Sequence, residues 1–109
     1  MKTTEYIKEQ LFAYFDVAGL GVVIALGNNT KNLEYQCIEG LKHLQRVTDY
    51  YIKRLEKGGR FTSKTTLAVH YCAAARAVLT NALLGVIPFD VGFNIAGVIC
   101  EKALSIITN

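Results

Sequence analysis

The sequence predicts an all-α protein, an antiparallel four-helix bundle with helices near 4–26, 31–57, 63–86 and 90–107. Three observations carry this. Four stretches repeat apolar residues at helical spacing, short glycine- or proline-bearing turns separate them, and the 109-residue chain, 51% hydrophobic with one proline, is the size of one domain. Short turns force neighbouring helices antiparallel. The whole of 1–109 is therefore read as a single helical domain.

In the first helix, Thr3 or Thr4 supplies a capping hydroxyl. Ile7, Leu11, Tyr14, Phe15 and Ala18 share a face, with Glu5, Lys8, Glu9 and Asp16 largely opposite. The run Val22-Val23-Ile24-Ala25-Leu26 continues it until Gly27, a natural left-handed terminator. Gly19 and Gly21 leave 17–26 open to a strand reading, but a lone strand has no partner, so helix is preferred.

The second helix has the clearest pattern. Thr30 caps it, Cys37, Leu41, Leu44, Thr48, Tyr51 and Leu55 form a coiled-coil-like seam widened by Ile38 and Ile52, and Gly58-Gly59 stops it. The third is alanine-rich, with Thr62 or Ser63 as cap. Pro88-Phe89-Asp90 turns the chain into the fourth, for which Asp90 is the expected cap. This last helix is apolar nearly all round as far as Cys100, with a wet stripe of Asn94, Glu101, Lys102 and Ser105.

Up-down topology gathers the charge-free runs 17–30, 77–89 and 91–100 at one pole and the charged segments at the other. A small bundle buries only part of its apolar surface, and the surplus marks an interface. A homo-oligomer through the last helix is expected, with Arg76, Val91, Phe93, Ile95 and Val98 at the contact. Arg76 sits amid alanines, where it either pairs with a carboxylate, from Asp16 or from a second subunit, or snorkels to the surface, and the pairing is preferred.

The net charge of +3 is unevenly placed. Residues 42–64 hold seven cations against Asp49 and Glu56, a net +5. Within it the 58–66 turn sets flexible glycines and hydroxyls before a helix N-terminus, an arrangement that favours anions. Arg60, Ser63, Lys64 and Thr65, with Lys53 and Lys57 on the preceding helix, are the candidate contacts to an anion or acidic partner. A glycine C-cap followed by a threonine N-cap explains the same residues without a ligand. The phosphate-loop pattern itself is absent, because no glycine precedes Lys64. Tyr50 on the basic helix could stack on a base, but the charge is modest beside dedicated binders, so nucleic acid is disfavoured as a partner.

Composition excludes disorder and collagen-like classes. Three cysteines make no disulfide framework, and Cys37, Cys72 and Cys100 read as small buried hydrophobes. His43 is expected to be exposed, and His43 and His70 fall into no catalytic or metal-ligating spacing with the cysteines. No catalytic residue, metal or cofactor is predicted. Glu5 and Glu9 interrupt any signal-like apolar core, which favours the cytoplasm. No charge-free run reaches the length of a membrane span, so insertion of 17–26 and 78–100 as helical hairpins is the lesser alternative.

The resulting expectation is a non-enzymatic helical interaction protein of adaptor, inhibitor or immunity type, homo-oligomeric and acting on a protein partner. A phosphate- or nucleotide-type ligand on the 58–66 turn is the alternative.

Overall fold

The computed structural model describes residues 3–25 and 30–108, with side chains for 3–17 and 32–108. It is an all-α four-helix bundle: α1 (Thr3–Ala25), α2 (Thr30–Glu56), α3 (Ser63–Leu83) and α4 (Phe89–Thr108). Among the described residues there is no strand, and the backbone from 17 to 25 is helical. The predicted Leu26 terminus and Gly27 cap lie outside the described residues.

Side-chain register establishes the helix directions. Tyr6 stacks on Tyr50, His43 Nδ1 lies 2.9 Å from Gln10 Oε1, and Tyr14 packs beside Gly40, so α1 and α2 run antiparallel. Tyr51 reaches Thr66 and Arg76 reaches Thr48, giving the same relation between α2 and α3. α3 packs most extensively on α4, and α1 meets α4 more sparingly to close the ring. The bundle measures 46 × 25 × 19 Å.

The core is built of Ile7, Leu11 and Tyr14 from α1, Leu44 and Val47 from α2, Leu79 from α3 and Phe93 from α4. Small residues from the last two helices fill between them, and all three cysteines are buried there with free thiols. The α2 seam is buried or half-buried from Cys37 to Tyr51, but Leu55 is exposed, as is Ile52. Tyr6 pairs with Tyr50 and Thr66 with Tyr51, so the last turn of α2 overhangs the first turns of its neighbours.

Both described turns are glycine-terminated. Gly58, at φ +83°, donates to Leu55 O while Gly59 donates to Arg54 O, which satisfies the last carbonyls of α2. Gly85, at φ +81°, does the same for α3, with Gly85 donating to Ala82 O and Val86 to Asn81 O. The second motif ends α3 at Leu83, where the sequence predicts Val86, because a left-handed residue cannot continue a right-handed helix. Asp90 is likewise not the cap of α4. Phe89 already opens the helix and Gly92 N donates to Pro88 O, so Asp90 sits in the first turn, where its charge favours the positive end of the helix dipole.

Candidate functional site

The exposed face of α4 follows from its spacing. Gly92, Phe93, Ala96, Cys100 and Ala103 turn inward, which leaves Val91, Ile95 and Val98 outward at intervals of four and three. Val98 is 67% exposed, and Leu84 and Val86 at the α3–α4 turn are 72% and 68% exposed. Only 28% of the most apolar stretch of α4 is buried in the bundle. Among the described residues α4 alone is long and apolar enough to cross a membrane. Beside Val98 a groove of about 380 Å³ opens between α1 and α4, walled by Tyr14, Phe15, Phe93, Asn94, Gly97 and Glu101.

Three of the predicted interface residues, Val91, Ile95 and Val98, thus lie on one open face. Phe93 does not: it is 8% exposed and stacks on the Tyr14 ring at 4.9 Å, because its position on α4 points into the bundle. Arg76 finds its partners within the chain, and they are not Asp16. Its Nη1 donates to Thr48 Oγ1 at 2.7 Å and lies 3.7 Å from Asp49 Oδ1. The Thr48 hydroxyl hydrogen is directed to the Leu44 and Gln45 carbonyls, which leaves its oxygen free to accept.

The 58–66 turn is capping chemistry. Thr62 Oγ1 accepts from the Thr65 backbone N–H at 3.2 Å, so that donor is already engaged. The Thr65 side chain is buried and bonded to the Thr62 hydroxyl at 3.0 Å, which removes it from the candidate anion contacts. Arg60, Ser63 and Lys64 are exposed around it, and Lys53 and Lys57 are exposed at the end of α2.

His43 is half-buried against α1 rather than exposed. Desolvation, followed by the Arg46 guanidinium 3.1 Å from Nδ1, pushes its pKa below the usual imidazole value, while Glu39 acts the other way. Burial raises the thiols: Cys37 to about 11, with Asp90 and Glu34 adding, and Cys72 to about 12. Cys100 and the Tyr14 phenol are pushed up further by the same cause. A thiol held protonated is a poor nucleophile. Among the described residues no group of three His, Cys, Asp or Glu side chains is placed to hold a metal ion.

Sequence reasoning missed one cluster. Tyr6 of α1 lies on Tyr50 with ring centroids 4.5 Å apart, inside the basic stretch of α2, and the Arg54 guanidinium carbon is 5.7 Å from the Tyr50 centroid. Spacing within either helix does not signal this pairing, since it depends on inter-helix register. Compared with known protein families, curated proteins and solved structures, the chain matches none.

Proposed function

We propose that the chain is a non-enzymatic interaction protein of adaptor, inhibitor or immunity type, acting in the cytoplasm by seating the open face of α4 on another protein, a second copy in the first instance. The observation that carries this reading is the exposed apolar stripe of Val91, Ile95 and Val98 on a helix whose opposite side is packed, with Leu84 and Val86 also exposed in the turn before it. Exposed apolar patches of this kind mark association surfaces. The stripe is bordered by Asn94, Glu101 and Lys102, as an interface core is bordered by a polar rim.

Light scattering on a size-exclusion column without detergent tests the reading. The expected result is a mass above that of one chain, falling to one chain in Val98→Glu with helicity unchanged. A wild-type monomer at all concentrations, or an assembly indifferent to Val98→Glu, overturns it. Aggregates that disperse only in detergent also overturn it, in favour of a membrane-associated protein, a second reading that the length and hydropathy of α4 support.

A further inference from the structure

Between the first turns of α1 and the second half of α2 lies a cleft of about 240 Å³, lined by Tyr6, Arg46, Asp49, Tyr50 and Lys53. Its walls combine two stacked rings with cations at both ends. Arg46 and Lys53 are seven residues apart on α2, roughly 10 Å at 1.5 Å per residue, and Arg54 lies over the Tyr50 ring. Asp49 is the one carboxylate in the wall, and its charge faces Arg76. Among the described residues neither Arg46 nor Lys53 has a carboxylate within ion-pair distance. Lys53 and Lys57 stand one turn apart, where like charges repel. The α2 dipole accounts for cations in the last turn, but its effect fades within one turn and does not reach Arg46.

An anion at this cleft would relieve the repulsion among the cations, and the Tyr6–Tyr50 pair borders it with aromatic surface. We infer that the cleft binds a nucleotide, free or as one unit of a single strand, with the base against the Tyr6–Tyr50 pair and the phosphate on Arg46 and Lys53. The cleft is large enough for a ring and too small to enclose a whole nucleotide, so the remainder lies along the open surface toward Lys57. Stacking platforms flanked by basic side chains are the general solution for holding bases without regard to sequence. The charge of 42–64 alone argues weakly for such a ligand. The added weight comes from Tyr6, which the fold carries into the basic stretch from another helix. This inference stands apart from the α4 face and survives or fails without it.

Calorimetric titration of the full chain with adenosine monophosphate, inorganic phosphate and a short single-stranded oligodeoxynucleotide tests it. The expected result is saturable binding of the adenosine monophosphate or the oligonucleotide, tighter than inorganic phosphate and weakened by salt. Arg46→Glu and Lys53→Glu should each weaken it by ~10-fold, the scale of one charge-assisted hydrogen bond. Tyr6→Leu should weaken it while Tyr6→Phe retains it, with circular dichroism confirming the fold in every variant. Binding confined to the oligonucleotide identifies the ligand as a strand, and equal binding of the mononucleotide identifies it as free nucleotide. Absence of saturable binding overturns the inference. So does binding that Tyr6→Leu leaves unchanged, or poly-glutamate binding as tightly as the oligonucleotide, because the patch would then read charge alone.

Discussion

The Tyr14 hydroxyl donates to the Phe93 carbonyl oxygen at 2.9 Å, and the two rings stack 13° from parallel, so one tyrosine joins α1 to α4 by both hydrogen bond and ring face. Tyr14 is fully buried and its partner sits in the first turns of α4. Tyr14→Phe keeps the ring and removes the bond. Loss of about 1 kcal/mol is expected, the net worth of a neutral hydrogen bond, read as a lower midpoint in urea. A change within experimental error would mean that the stack alone joins the two helices.

Alkaline pH should destabilise the fold. Tyr14, Cys37, Cys72 and Cys100 all have folded-state pKa values raised by burial, so above pH 9, the ordinary thiol value, the unfolded chain releases protons that the folded chain keeps. Stability fully present below pH 9 is lost as pH climbs toward about 11 for Cys37 and about 12 for Cys72. Denaturation midpoints measured from pH 8 upward should hold to about pH 9 and fall beyond it, and a profile flat above pH 9 would contradict the burial of these groups.

Three glycines in helices should respond to alanine with opposite signs. A Cβ at Gly40 would stand 2.7 Å from Tyr14 Cε2, and one at Gly92 2.7 Å from Ala82 Cβ. Each substitution should cost 1–3 kcal/mol, about the usual overpacking penalty. At Gly97 the nearest neighbour, Tyr14 Cε1, is at 3.9 Å, so alanine should instead gain up to ~1 kcal/mol of helix propensity. Chemical denaturation of the three variants reads the sign directly.

Arg76 belongs to the α2–α3 contact. Arg76→Met should cost about 1 kcal/mol or less, since its side chain is 37% exposed and its pairing with Asp49 is long. The mass measured by light scattering should stay that of the wild type. A drop to one chain would return Arg76 to the subunit interface.

Native thiols should be silent. All three cysteines are fully buried and protonated, so a disulfide reagent should label none of them in the folded chain at neutral pH and all three in denaturant. Rapid labelling of any one under native conditions would place it in a part of the fold that opens.

Helix number, order and most boundaries were legible because the local signals agreed. The α2 seam, the Thr62 cap and the Gly58 terminator each act over a few residues. Gly85 also acts locally, but the apolar run through Val86 hid it. What escaped was relational. Phe93 and Val98 look alike in an apolar helix, and only the position of α3 and α1 decides which is covered. The same holds for Arg76, whose acceptor lies 28 residues away, and for Tyr6, whose partner lies on another helix. Gly40 is a further case, since only the register of α1 against α2 sets the Tyr14 ring where a side chain at 40 would stand.

The uneven packing around the ring has a kinetic consequence. α3 and α4 share the broadest contact across a short linker, so their pairing costs little loop-closure entropy and is favoured to form early. α1 reaches α4 across most of the chain and through a sparser seam, so that seam should close late and open first. The groove beside Val98 would widen whenever that happens, which makes the wall of α1 the part of the molecule whose local stability sets how readily that surface can change shape.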